Sequence, residues 1–212
     1  MYFDRNWVEI VDYPPINPMA RVRAWDFSAS EPTTSGQASN PDYSAGVKMS
    51  RDKQGMYYIE DVVRFRYRTD KVLKEVVKVA ISDGTDDTTV FIPTDPAAAG
   101  KTAAQFYLRT LSEAGVYAKT RSTTGHSGKL TRFKPFCALA ESGSVKVVRG
   151  DWNEAFFNEL ESFTGEKSTQ RYLKDDQCDA VADAFVSLAR QVSLPTFSLP
   201  ALEQASPIPR IN

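Results

Sequence analysis

Between Tyr67 and Thr69 the hydrophobic period of this chain changes, and that change limits what it can fold into. Before it, apolar residues fall in strand-length runs at about Ala20 to Ser28, Tyr43 to Arg51 and Met56 to Tyr67. A turn-rich insert from Glu31 to Pro41 separates the first two, and Asp52-Lys53-Gln54-Gly55 reads as a hairpin turn between the others. This predicts an antiparallel three-stranded meander. After the change, Val72, Leu73, Val76, Val77, Val79 and Ala80 recur at helical spacing over Thr69–Asp83, with Thr69 and Asp70 as cap and first-turn acid. Alternation follows. Strands are expected at Thr88–Pro93, Val116–Arg121 and Val145–Val148. Helices are expected at Lys101–Ala114, Leu130–Ser142, Trp152–Phe163 and Asp175–Arg190. The pattern is α/β, a central mixed sheet with an antiparallel three-stranded start and then parallel strands, flanked by helices.

The 212 residues suit one sizeable domain, placed at residues 21–190. Residues 1–20, with Tyr13-Pro14-Pro15-Ile16-Asn17-Pro18, lack a compact pattern and read as a linker remnant. Residues 191–212 carry four prolines and read as a flexible tail. A net charge of -1 means that any contact with nucleic acid needs a local basic patch. Cys137 and Cys178 have no zinc spacing and read as reduced thiols of an intracellular protein. The single histidine, His126, lies in the Ser122–Gly128 loop, which disfavours a histidine-based zinc hydrolase. No apolar run approaches membrane-spanning length, so a membrane role is not expected.

Chemistry concentrates in carboxylates. Lys174-Asp175-Asp176-Gln177-Cys178-Asp179-Ala180 opens the last helix; Asp176 and Asp179 share one face, which Asp183 continues a turn later. Such a group is either a solvated helix start, where acids suit the dipole, or a holder of divalent cations. Asp26 is the one carboxylate in the apolar strand Ala24-Trp25-Asp26-Phe27-Ser28. It faces solvent opposite Trp25 and Phe27, or it is paired or metal-bound. Asp95, in Pro93-Thr94-Asp95-Pro96, stands past a strand end, where α/β folds place ligands and where turn aspartates are also common. Asp42 opens the second strand of the meander, as a turn cap or an auxiliary acid near Asp26.

The segment from Asp95 to Thr102 matches the phosphate loop GxxxxGK[ST] except at its first position. A carboxylate there would repel phosphate, which argues against a nucleotide-hydrolysing loop. Among the cations, Lys101 sits at a helix start. Lys119, Arg121, Lys129, Arg132 and Lys134 surround the Gly/Ser-rich loop and suit phosphate contacts, or simply solvate it. The run Arg64-Phe65-Arg66-Tyr67-Arg68 alternates cations and rings, as a half-buried strand does.

The acids in the order strand, post-strand loop and late helix resemble the nuclease domain of the large terminase subunit of tailed bacteriophages, over roughly residues 20–190. The segments that carry the likeness are Arg23 to Glu31, Asn40 to Gly46, Ile92 to Lys101, Val148 to Asn153 and Lys174 to Ala180. The resemblance implies a ribonuclease H-like fold. It implies Asp26, Asp95 and Asp179 as catalytic, metal-holding acids, with Asp42, Asp176 and Asp175 auxiliary. With DNA as substrate, the clustered cations Arg121, Lys129, Arg132 and Lys134 and the helix-start Lys101 are the expected DNA contacts. Two Mg²⁺ or Mn²⁺ ions roughly 3.5–4 Å apart would serve phosphodiester hydrolysis of concatemeric double-stranded DNA. The family's N-terminal ATPase domain has no counterpart in this sequence. The portal protein and small terminase subunit are the implied partners, the host cytoplasm is the implied location outside the mature virion, and the isolated domain is expected to be monomeric. The alternatives are a junction resolvase-like nuclease and a noncatalytic DNA-binding or docking module.

Overall fold

A computed structural model describes residues 2–28, 43–95, 97–122, 129–165 and 174–193. Asp42, His126, the loop over 123–128 and the tail from 194 onward lie outside the described residues. The meander forms as the alternation predicts, from β2 (Ala20–Asp26), β3 (Ser44–Arg51) and β4 (Tyr57–Phe65), with β2 and β4 each antiparallel to β3. The register shifts between Lys48 and Met49, where one extra β4 residue is accommodated.

The helical spacing after Tyr67 gives α1 (Thr69–Asp83). Then follow β5 (Thr89–Thr94), α2 (Ala98–Glu113), β6 (Ala118–Ser122), α3 (Lys129–Glu141), β7 (Val145–Val148), α4 (Asn153–Ser162) and α5 (Asp176–Ser193). A short strand, β1 (Glu9–Val11), completes a sheet of order β1-β7-β4-β3-β2-β5-β6. β5 pairs parallel with β2 and β6, and β7 pairs parallel with β4 and β1. The α/β architecture is the expected one.

Two cores cover the two faces. Val22, Ala24, Val47 and Met49 face α3, α4 and α5 through Phe133, Phe136, Phe156, Leu160 and Leu188. Trp25 and Phe65 face α1 and α2 through Val72, Val76, Tyr107 and Leu111. Gly46 is what lets β3 pass Trp25, since a Cβ there would meet the indole ring at 2.7 Å. Arg23 is wholly buried on the Trp25 side; its guanidinium donates to Asp83 and Asp61, both at 2.7 Å, and to the Gly46 carbonyl at 3.0 Å. Paired this fully, it adds a fixed polar link between the sheet and the end of α1.

Two expectations are corrected. Residues 1–20 do not lack a compact pattern, because their first half packs onto the fold. Phe3 is fully buried and stacks on Phe136 and Phe157, Arg5 ion-pairs with Glu161 at 2.8 Å, and β1 pairs with β7. The composition of the proline-rich stretch hid a hydrophobic anchor of one aromatic and one strand. At the other end α5 runs on to Ser193, past the expected start of the tail, because no proline interrupts it before Pro195.

Candidate metal centre

Asp26 is the last residue of β2, and alternation puts it on the face of Val22 and Ala24. That face is covered by α5, which packs across β2 and β3. The solvent-facing reading of Asp26 is therefore excluded: it lies partly buried at the end of the sheet. Its carboxyl is pushed well above the usual carboxylate range, first by burial and then by the charges of Asp179 and Asp176. Asp175 acts in the same sense, and Lys129 opposes it. The strand acid and the helix acids thus form one electrostatic group.

The α5 acids are placed individually. Asp176 is buried and its Oδ2 accepts the Tyr43 N–H at 3.0 Å, which ties the first turn of α5 to the entry of β3. Asp179, also buried, is ion-paired with Lys129 at 2.5 Å and Arg132 at 3.0 Å. Asp175 stands just before the helix, its carboxylate on Lys129 at 2.8 Å and its carbonyl accepting the Asp179 N–H at 3.0 Å. Asp183, one turn deeper, meets Arg132 at 2.6 Å and touches Arg121. The cluster is no solvated cap: three of its four carboxylates are buried, Asp179 and Asp183 held by cations from α3 and β6 and Asp176 by the Tyr43 amide.

Asp95 follows β5 and is exposed. With Asp26 it lines a cleft of about 280 Å³ between the carboxyl ends of β2 and β5 and the start of α2, together with Phe27, Pro93, Gly100 and Tyr107. The glycine of the phosphate-loop lookalike has a different purpose here. A Cβ at Gly100 would meet the Asp95 Cβ at 2.5 Å, so glycine lets α2 start against this acid. Asp26 is therefore shared by two surroundings, the cleft with Asp95 on one side and the α5 acids on the other.

Several expected DNA contacts fall elsewhere. Arg121 is only 9% exposed and sits against Asp183; burial lowers its pKa to about 10, helped by Arg132 and Arg190. Arg132 and the half-exposed Lys129 are engaged by Asp175, Asp179 and Asp183. Sequence reading placed these cations around a loop because it could not see that α5 packs beside α3. Lys134 and Lys101 are exposed, Lys134 lying near the Tyr2 ring.

Glu159 went unnoticed in the sequence. It is 7% exposed on α4, and its carboxylate accepts the Gln177 N–H at 2.5 Å and the Gln177 side-chain amide. It thereby caps the first turn of α5. Burial raises its pKa, and the bonds from Gln177 oppose that rise. Its position between core residues Phe156, Phe157 and Leu160 was the available signal.

The donor set suits a hard divalent ion in kind: carboxylate oxygens, with repulsion among them that a cation relieves. Among the described residues no three His, Cys, Asp or Glu groups are already drawn into a closed cage. Lys129 explains part of this, because its ammonium stands among Asp175 and Asp179 as the local cation.

A mixed sheet with this order, helices on both faces and acids at the carboxyl ends of its central strands defines a ribonuclease H-like domain. The chain belongs to the terminase RNase H-like domain family, which it matches over residues 23–188. Its structure is similar to the large terminase nuclease of thermophilic phage G20c with bound zinc (16% identity, 85% of this chain and 94% of that one covered, TM-score 0.54). It is also similar to the large terminase nuclease domain of Thermus phage P74-26 (15% identity, 85% and 90% covered, TM-score 0.53). A third similar structure is the fowlpox virus resolvase with Holliday junction DNA (9% identity, 81% and 99% covered, TM-score 0.50). The G20c nuclease has also been solved with cobalt and with magnesium. No match was found among curated proteins.

Proposed function

We propose that this chain is a divalent-metal-dependent DNA endonuclease serving viral genome packaging, with Asp26, Asp95 and Asp179 as its metal-holding acids. The observation that carries the reading is Asp26 itself: a carboxylate at a central strand end, its proton affinity raised by burial and by the α5 acids. A fold keeps mutually repelling acids together where a cation offsets them. Relatives solved with zinc, cobalt and magnesium support a divalent ion, and we assign Mg²⁺ or Mn²⁺ because the donors here are carboxylates.

Bound at these oxygens, a pair of such ions supplies a water of lowered pKa and charge stabilisation for the leaving oxygen in phosphodiester hydrolysis. The protein's own groups do the rest. Asp26 presents oxygens to both the cleft and α5, Asp95 holds the cleft side, and Asp179 the helix side. Asp176 is a positioning residue through Tyr43, and Asp175 an outer partner of Lys129. Cutting of concatemeric double-stranded DNA, contact with a portal protein and small terminase subunit, and action in the host cytoplasm belong to the same proposal.

The test is Mn²⁺-dependent relaxation of supercoiled plasmid, with Mn²⁺ binding followed by calorimetry. Parent protein should bind and cut, and Asp179→Asn should do neither while melting as a folded protein. Cutting that survives both Asp179→Asn and EDTA would sink the reading. Lys129→Gln supplies a second check. Removing the ammonium that competes for Asp175 and Asp179 should tighten Mn²⁺ binding roughly tenfold, a modest part of the Coulomb energy of one nearby charge. Unchanged or weaker binding would show that Lys129 does not stand in the cation's place. The likeness to a junction-binding resolvase favours a second reading, branched DNA as substrate. Cleavage rates on a four-way junction and on linear duplex of the same sequence separate the two.

A further inference from the structure

The cations that sequence reading assigned to DNA are largely consumed by the α5 acids, which leaves open how a polyanion would be gripped beside them. Register supplies an answer. Asp26 pairs with Ala45 and Ala45 with Arg64, so Asp26 and Arg64 stand in one row on one face, two strands apart. Strand spacing puts their backbones roughly 10 Å apart. Arg66, just past the end of β4, reaches the same Tyr43 ring. Both guanidinium groups lie over the Tyr43 ring, Arg64 at 4.8 Å and Arg66 at 3.8 Å from its centre. The Tyr43 N–H is bonded to Asp176, so the stack is fastened to the first turn of α5.

The charges of this stack are only partly spent. Arg64 pairs with Glu159 at 3.7 Å, a longer contact than those the α3 cations make, because the Glu159 oxygens also accept bonds from Gln177. Arg66 makes no ion pair among the described residues, and its buried Nε has no hydrogen-bond partner. By contrast, Arg121, Lys129 and Arg132 each contact an acid of α5. Two like charges on one ring repel, and the arrangement is relieved when an anion arrives. Planar guanidinium forks with fixed donors match phosphate oxygens, and stacking on an aromatic ring holds them in place.

We propose that Tyr43, Arg64 and Arg66 form a phosphate bracket that grips the DNA backbone next to the α5 acids and aligns the strand with Asp26. The inference rests on the nuclease reading for its partner, but its test does not depend on cutting. Anisotropy of a fluorescein-labelled duplex, measured in EDTA across a NaCl series, reports the number of phosphates neutralised. Losing one contact should lower the magnitude of the log–log salt slope by ~0.9, and losing two by ~1.8. Arg66→Ala should give the first and Arg64→Ala with Arg66→Ala the second. Tyr43→Ala should weaken binding and Tyr43→Phe should keep it. Arg109→Ala, which removes an exposed cation paired with Glu113 on α2, should leave the slope unchanged. If the double variant does not fold, Arg66→Ala alone decides the matter. A parent-like slope and affinity in folded Arg66→Ala overturns the bracket. Mn²⁺ calorimetry on the same variants keeps the two ideas apart: bracket variants should bind Mn²⁺ as the parent does. A parent that binds no Mn²⁺ but shows the slope change would retire the nuclease and retain the bracket.

Discussion

Asp26→Asn should lose Mn²⁺-dependent cleavage by ~10³-fold or more, the equivalent of about 4 kcal/mol of transition-state stabilisation, while making the metal-free protein more stable. Both halves follow from one cause. The folded protein raises the Asp26 pKa, by burial first and by Asp179 and Asp176 next. In the unfolded chain the group titrates near the ordinary value of about 4. Between those two values the folded state holds a proton that the unfolded state has released, so stability falls as pH rises through that window. At neutral pH the raised proton affinity of Asp26 is a cost of the fold relative to the unfolded chain, and asparagine removes it. Melting at pH 7 without metal should rise by at least ~2 °C, the shift that about 1 kcal/mol produces in a chain of this size. The difference should shrink as the pH falls and vanish below about 4, where Asp26 is protonated in both states. A variant that melts lower than the parent at pH 7 would show that Asp26 is held by favourable contacts and not by its neighbours' repulsion. Added Mn²⁺ should then stabilise the parent and leave Asp26→Asn unmoved, because only the parent binds.

Phe3→Ala should destabilise the protein by about 3–5 kcal/mol, the usual cost of emptying a buried aromatic site. Phe3 is fully buried between Phe136 of α3 and Phe157 of α4, at centroid distances of 6.1 and 6.3 Å. Arg5 seals the same corner through Glu161 and lies over the Phe157 ring at 5.4 Å. The expected fall in melting temperature is roughly 10 °C, read by circular dichroism. A parent-like melt would mean that the chain before β2 contributes no stability, as a linker would. The effect on Mn²⁺ binding should be small below the transition, because Phe3 touches none of the acids.

How legible the site was differs from residue to residue. Asp26 stood out because a lone carboxylate in an apolar strand is costly unless something holds it, and that argument is local. Asp95 stood out by its place past a strand end, which is again local. The α5 acids could be counted but not interpreted. Whether they were solvated or engaged depended on Lys129, Arg132 and Arg121, residues 46 or more positions away in the chain for the closest pair. Glu159 was visible only as an acid among core aromatics, and its work as the cap of α5 required knowing that α4 and α5 meet. Alternation separated Arg64 from the buried Phe65 on β4. What the face of Arg64 looks toward needed the register of three strands.

By itself the sequence determined the fold class and nearly every element. Periods of two and 3.6 residues are properties of local geometry that tertiary context left unchanged here. It also determined which carboxylates were candidates, since burying an acid in an apolar segment is costly wherever the segment goes. Only the tertiary structure decided how charge is shared. Ion pairs act over a few ångströms of space and have no fixed separation along the chain. Packing α3 against α5 therefore engaged Arg121, Lys129 and Arg132, cations that looked free, and the register of β2, β3 and β4 set Arg64 in the row of Asp26.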